Sequence, residues 1–392
     1  MFTAKVEIEK LLFLLLLVGV LGGVVLSVVL PNAVRVSFLD GVVAIVAAYF
    51  FYRRSDFKSK AFVFVPFTII GGISLLWQFG SLNLGQLAFS SLYLVRFLLY
   101  SLVVGYAFRI PRSLWFKLLT FSGALYAVIG LMQYVLYPNL RNLEYLGWDP
   151  HQYRVFGTFL DPNFSGILLV LTLLTVFYSY ERRYINKQMI VLVTPLILIA
   201  LLLTYSRGAY VALIVGVGCW MYFKRRLLLF LLSLIVFVGA LFVLPKPGGE
   251  GVDLLRTLSV SSRITNSIEA FTLFRTSPLL GYGFDSLRYV KTPDTTNNNY
   301  PSHSGAGFHN SWLVILTTTG IVGLLVYLYG FAQLLRQRNL KRNPFETIER
   351  RFGFALLSAW FVHAFFDNSL FYPFVLMFVL LCFKGMLLKE ST

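Results

Sequence analysis

Apolar residues in this chain neither alternate nor confine themselves to one helical face; they run on. Stretches of about 20 residues, each long enough to cross a hydrocarbon core of ~30 Å as a helix, recur along the sequence. They begin near residues 11, 36, 61, 87, 113, 163, 186, 208, 227, 310, 350 and 371, with short basic or Gly/Pro-containing connections between them. The pattern predicts an all-α polytopic membrane protein of about twelve transmembrane helices, forming a single integral membrane unit over residues 1–392. The first run, Leu11 to Leu30, is longer than a signal-peptide core and lacks a small-residue cleavage site before Pro31, so it is expected to be a retained span.

Two polar interruptions stand out, residues 138–162 and residues 246–309. In the longer one, Ser261 or Ser262 is placed to cap a short helix whose Ile264, Ile268, Phe271 and Phe274 share a face, ending before Pro278 and the Gly281/Gly283 turn. That helix is expected on the membrane surface or against the bundle. From Thr292 to Gly307 the chain is rich in Asn, Ser, Thr, Pro and Gly, which predicts a mobile segment that could cover a site.

Composition agrees with the pattern: 57% of residues are hydrophobic and 13% charged, too apolar for an ordinary soluble domain. A net charge of +17 would suggest nucleic acid in a soluble protein, but here the basic residues report orientation. With an even number of spans and a cytoplasmic N-terminus, 23 of the 34 basic residues fall in cytoplasmic segments and ten on the other face, Arg96 alone lying inside a span. Both termini are therefore expected in the cytoplasm. Cys219 and Cys382 both lie in apolar runs, so neither a disulfide nor a thiolate metal site is expected.

The candidate chemistry lies on the outward face. His309 directly precedes the tenth apolar run, and Asn310 or Ser311 can cap the helix that follows. A helix N-terminus disfavours imidazolium, so the ring is expected to be neutral and able to accept a proton; the alternative is a boundary histidine bonded locally. Arg207 and Arg263 are guanidinium groups near the outer interface, suited to gripping phosphate oxygens, although a lone arginine at a span end more commonly snorkels to head groups. Arg96 sits about ten residues into its span, roughly 15 Å from the end at the helical rise, and requires either a structural ion pair or a lipid-phosphate contact. His363, within the eleventh run, reads as a packing residue. Asp149, Asp161, Asp253, Asp285 and Asp294 are scattered, and His303 lacks acidic or cysteine neighbours, so no metal site and no cofactor is proposed.

Several motifs together carry a resemblance. His309-Asn310, nine residues, Gly320, two residues and Gly323 form one; Thr204-Tyr205-Ser206-Arg207-Gly208-Ala209 at a span boundary forms another. Arg263 in the loop helix, Ser277-Pro278-Leu279-Leu280-Gly281-Tyr282-Gly283, and Arg154 with Gly157 and Asp161-Pro162-Asn163 complete the set. In this order they resemble the O-antigen ligase and polymerase family of membrane glycosyltransferases, most closely its ligases. The resemblance implies a bacterial inner-membrane protein with its active site at the periplasmic face. It also implies that Arg207 and Arg263, with Arg154 as a further candidate, bind the diphosphate of an undecaprenyl-diphosphate-linked glycan, while His309 assists the attacking hydroxyl; Arg96 joins the substrate-binding candidates on its charge inside a span alone.

The implied reaction is metal-independent and inverting, moving the glycan to a lipid A-core sugar. An O-antigen, capsule or exopolysaccharide polymerase would use the same residues with a lipid-linked repeat as acceptor. A transporter of lipid-linked sugars is a third reading, weakened by the absence of a detectable repeat and by the outward clustering of the candidates. The partners expected are the lipid-linked donor, a glycan acceptor and membrane lipids, with no nucleic acid.

Overall fold

A computed structural model describes residues 2–30, 34–53, 62–245, 247–248, 250–254, 258–291, 307–336, 347–388 and 390. Each of the twelve apolar runs contributes a helix. They form α1 (Phe2–Gly22), α2 (Phe38–Tyr52), α3 (Val65–Trp77), α4 (Leu84–Leu102), α5 (Arg112–Leu136), α6 (Pro162–Glu181), α7 (Lys187–Leu202), α8 (Arg207–Phe223), α9 (Leu227–Val243), α12 (Ser311–Leu335), α13 (Ile348–His363) and α14 (Pro373–Leu387). The long polar interruption adds α10 (Leu258–Thr276) and the single turn α11 (Leu287–Val290). Among the described residues, α5, α6 and α12 are long and apolar enough to cross a membrane by length and composition; α2, α3, α7, α8, α9 and α14 are shorter apolar helices.

Helix α6 is the hub. It is apolar all round and buried along most of its length, as expected of a helix with neighbours on every side. Those neighbours are α5, α7, α8, α13 and α14. Small residues set the closest approaches: a Cβ on Gly166 would stand 2.6 Å from the Ala209 Cβ, and one on Gly216 would stand 2.9 Å from that of Ala359. Helix α9, by contrast, has no buried residue among those described and presents Leu228, Val236 and Phe242 outward.

Two expectations need correction. The first run does not stay helical to Leu30. Helix α1 stops at Gly22 because Gly23 takes a left-handed conformation (φ 55°) against Thr158, whose carbonyl accepts from Val24 N–H at 3.0 Å. The β-branched residues beyond it form a short antiparallel hairpin, β1 (Ser27–Leu30) with β2 (Val34–Ser37), so the fold is helical with one small two-stranded addition. Second, α10 begins by Leu258, so neither Ser261 nor Ser262 caps it; both lie within its first turns. The Thr292-to-Gly307 segment, including His303, lies outside the described residues except for Gly307.

Basic residues expected on the cytoplasmic side gather at one end of the bundle, where they are held by carboxylates. Glu349 pairs with Arg112 at 3.2 Å and with Arg182, while Glu181 pairs with Arg351 at 3.0 Å and with Lys224. These contacts tie the start of α5 and α13 to the end of α6 and α8. The starts of α6, α8, α12 and α14 and the end of α13 consequently lie at the opposite end, with the candidate site.

The Ser277-to-Gly283 motif docks backbone to backbone on α12. At Gly320 the helix leaves helical geometry (φ 67°, ψ −170°), a region open essentially to glycine alone. Ile321 N–H then donates to Pro278 O at 2.9 Å instead of continuing the helix, and the Thr317 carbonyl so released accepts from Tyr282 N–H at 2.8 Å. Gly283 N–H adds a bond to Thr318 O at 2.9 Å. A Cβ on Gly320 would lie 2.0 Å from the Leu279 carbonyl oxygen, and one on Gly281 would lie 2.6 Å from that of Thr317. Ser74 Oγ stands between the Leu280 and Thr318 carbonyls, at 2.5 and 2.7 Å, closing the joint from α3.

Gly320→Ala is therefore expected to destabilise the protein by about 1–3 kcal/mol or more, read as a lower unfolding midpoint in detergent. Gly41→Ala, in the first turn of α2 where a Cβ meets nothing within 4 Å, is the control and should be neutral or slightly stabilising.

Candidate active site

Three helix N-termini converge, each capped by a polar side chain from a sequence motif. Asp161 caps α6, accepting from Asn163 N–H at 2.6 Å; Ser206 caps α8; Asn310 caps α12, accepting from Trp312 N–H at 2.9 Å and Leu313 N–H at 3.2 Å. The first two caps are joined directly, because Ser206 Oγ donates to Asn163 Oδ1 at 2.9 Å. The turn into α8 passes through Tyr205 in a left-handed conformation (φ 49°), uncommon for a bulky residue. Arg154 supports it. Its buried guanidinium donates to Thr204 O at 2.8 Å and Tyr205 O at 3.4 Å, so it braces the backbone that presents Arg207.

His309, one residue before the α12 cap, meets a partner the sequence reading did not name. Its Nδ1 stands 3.7 Å from Oδ1 of Asp367, in the turn between α13 and α14. That is an ion-pair distance, long for a strong hydrogen bond. Ser311 fixes the arrangement: its N–H donates to Ala364 O at 2.8 Å, its hydroxyl donates to Asp367 O at 3.0 Å, and the hydroxyl oxygen accepts from Leu370 N–H at 3.1 Å. On the other side, Lys291 Nζ reaches Gly307 O at 3.4 Å and Glu269 of α10 at 3.3 Å, and lies 4.4 Å from the centre of the Phe308 ring.

This pairing corrects the expected charge of the ring. Interaction with Asp367 raises the His309 pKa above the ordinary histidine value, outweighing partial burial and the repulsion of Arg263. A full carboxylate at contact range thus outweighs the partial charge of a helix end. Burial acts to raise Asp367, yet His309, His363 and Arg263 hold it below the usual carboxylate range. Asp161 goes the other way: burial first, then repulsion from Asp367, push it up to about 7. Two neighbouring carboxyl groups are thereby driven apart, and Asp367 keeps the charge.

Two recesses flank this pair. The first is a cavity of about 330 Å³ whose lining includes His309 and Asp367 together with Arg96, Asp285, Arg288 and Tyr93. Arg96 has the structural partner left open by the sequence: Nε lies 2.6 Å from Asp40 Oδ1, Nη2 donates to Oδ2 at 2.8 Å, and Asp40 also closes the capping box of α2 with Ser37. The second is a groove of about 770 Å³ along α10, lined by Arg207, Arg263 and Arg275 among apolar side chains such as Ile264, Ile268 and Phe365. No carboxylate lines the groove among the described residues. Its apolar rim is exposed, with Ile264 at 55%, Ile268 at 64% and Phe365 at 58%, as suits a surface turned to lipid.

Of the residues expected from sequence, Arg207 and Arg263 share the groove, His309 and Arg96 share the cavity, and Arg263 interacts electrostatically with His309 and Asp367. Gly281, Gly283 and Gly320 hold the joint beneath them, while Gly323 leaves room for the Thr319 side chain. His363 is fully buried, one turn before Asp367. Sequence reasoning missed Asp367 and the Asp285–Arg288 pair. The signals available were an acidic residue one turn after a histidine at the end of an apolar run, and an Asp following the Gly-Tyr-Gly turn.

Comparison with known proteins bears on the same region. Residues 190–328 match the O-antigen ligase family. The chain is also similar to an O-antigen ligase of Salmonella typhimurium, 33% identical over 163 residues, which cover 38% of this chain and 40% of the relative. The match thus spans less than half the length of that relative. The segment that matches the family contains Arg207, Arg263, His309, the Gly281/Gly283 motif, Gly320 and Gly323.

Replacing Asp367 tests the pairing. Asp367→Asn should drop the His309 titration midpoint to or below the ordinary value of about 6.5, followed by NMR of labelled histidine. Because the His309 value is raised and the Asp367 value lowered in the folded state, the pair contributes fully between the ordinary carboxylate and histidine values, and loses its contribution as pH rises through the raised histidine value or falls through the lowered carboxylate value. The stability gap between wild type and Asp367→Asn should therefore narrow at alkaline pH; an unmoved midpoint contradicts the pairing.

Proposed function

We propose that the protein is a membrane glycosyltransferase of the O-antigen ligase type, moving a glycan from undecaprenyl diphosphate to an acceptor hydroxyl at the periplasmic face of the bacterial inner membrane. One observation carries this reading: a groove lined by Arg207, Arg263 and Arg275 beside exposed apolar side chains lies next to a His–Asp pair. That combination suits a ligand with a doubly charged head and a prenyl tail.

In the proposed reaction the acceptor oxygen attacks the anomeric carbon of the first donor sugar, and the bond from that carbon to the diphosphate oxygen breaks. The electron pair leaves with the diphosphate, whose charge Arg207 and Arg263 stabilise by guanidinium hydrogen bonds, without a requirement for metal. The acceptor proton passes to His309, and Asp367 stabilises the imidazolium formed. A single displacement of this kind inverts the anomeric centre. Arg154 acts at one remove, holding the Thr204–Tyr205 carbonyls so that Arg207 faces the groove. Twelve spans with both termini cytoplasmic put this end of the bundle in the periplasm, in keeping with the excess of basic residues at the other end.

Transfer from lipid-linked donor to lipid A-core, measured with purified protein in proteoliposomes, is the test. His309→Ala should lower turnover by about 10²–10⁴-fold while leaving donor binding intact. Arg207→Ala and Arg263→Ala should weaken donor binding and slow transfer by about 10²-fold or more. Near wild-type turnover in His309→Ala removes the base assignment, and normal donor binding in both arginine variants removes the diphosphate assignment. A glycan ladder formed from lipid-linked repeats alone, with no core acceptor, would identify a polymerase instead.

A further inference from the structure

The cavity and the groove differ in charge as well as position. In the cavity each cationic side chain named above already has a carboxylate: Arg96 has Asp40, Arg288 has Asp285 at 3.1 Å, and His309 has Asp367. The groove is lined by three arginines, and the carboxylate that acts on Arg207, Asp253, is not among its described lining residues. A charge-balanced pocket with aromatic walls fits a neutral, hydroxyl-rich ring; a cationic groove fits the diphosphate. Among the described residues the two recesses share no lining residue, and His309 lines the cavity.

That separation has a stereochemical meaning under the reaction proposed above, on which this inference rests. In a single displacement the nucleophile and the leaving group stand on opposite sides of the anomeric carbon, and a base must lie within hydrogen-bond reach of the nucleophile. If the diphosphate occupies the arginine groove, the oxygen that His309 deprotonates belongs to whatever fills the cavity. We infer that the cavity is the acceptor-sugar subsite, and that Asp285, Arg288 and Tyr93 select the acceptor by binding the hydroxyls and face of one neutral terminal sugar.

Local geometry supports these three residues. Asp285 holds a left-handed backbone conformation (φ 57°), an arrangement that costs free energy in a non-glycine residue and that the surrounding structure must maintain. It directly follows the docked Gly281–Gly283 turn, and its carbonyl accepts from Ser90 Oγ of α4 at 3.4 Å. Buried Phe284 and Leu287 anchor the segment on either side. The Arg288 guanidinium lies 5.1 Å from the centre of the Tyr93 ring. A carboxylate accepting from hydroxyls, a guanidinium donating to them and a ring against the sugar's C–H face make up a polar site that discriminates strongly, because a wrong sugar leaves its groups unpaired. At about 330 Å³ the cavity is near the lower end of the ~300–1,000 Å³ usual for small-ligand sites, so it suits a terminal ring better than a chain.

The test separates acceptor from donor. Asp285→Asn tolerates the left-handed backbone and keeps the side-chain volume, and Arg288→Gln gives a second, independent variant. In steady-state transfer each should raise the apparent KM for lipid A-core by about tenfold or more, the cost of an unpaired polar group, with donor KM within about twofold of wild type. Saturation-transfer NMR of detergent-solubilised protein with soluble core oligosaccharide, without donor, should show contact that both variants weaken. A raised donor KM with unchanged acceptor KM would place the donor sugar in the cavity and overturn the inference, as would wild-type oligosaccharide contact in both variants. If the wild type binds the oligosaccharide but transfers nothing, the subsite stands and the proposed reaction fails.

Discussion

Helix α12 breaks at Gly320 because the carbonyl of Leu279 stands where any side chain would be, and the rest of the site depends on that contact. The break frees one carbonyl and one N–H, and the Ser277-to-Gly283 loop takes up both. With those groups bonded, an irregular helix can persist in an apolar bundle. Upstream of the break, α12 carries His309 at its N-terminus; upstream of the loop, α10 carries Arg263; just downstream of the loop come Asp285 and Arg288. One joint therefore sets the relative positions of the residues proposed to bind the donor, deprotonate the acceptor and select it.

Around that joint, charge is used differently at the two ends of the bundle. At one end Glu181 and Glu349 neutralise arginines and a lysine between helix termini, a structural use of ion pairs. At the other, His309 and Asp367 form a titratable pair, and three arginines line a groove with exposed apolar side chains. A raised histidine pKa does not disqualify the ring as a base. It strengthens the affinity for the proton at the moment the acceptor gives it up, and it moves the deprotonated fraction towards higher pH.

Much of this was legible in the sequence. Each apolar run contributes a helix because a helix satisfies its backbone hydrogen bonds locally. The motif glycines were visible as well, though their purpose was not: Gly281 and Gly320 are needed for close approach of two backbones distant in sequence, and Gly283 for its left-handed backbone (φ 97°). What escaped depended on tertiary neighbours. Residue spacing around His309 pointed to a helix dipole and a neutral ring, whereas Asp367 arrives from another helix pair and reverses the sign. Arg96 announced that it needed a partner without naming Asp40. The hairpin was hidden because Val- and Leu-rich segments read equally well as strand or span until Gly23 stops the helix.

The account turns on a divided site, with the leaving diphosphate held on one side and the attacking hydroxyl deprotonated on the other. The anomeric configuration of the linkage formed by the purified protein, determined by NMR on product made from a donor of known configuration, tests this most directly. A single displacement across the divide predicts complete inversion. Retention of the donor's configuration would require a glycosyl-enzyme intermediate or same-side attack, and would contradict the placing of acceptor and leaving group in opposite recesses.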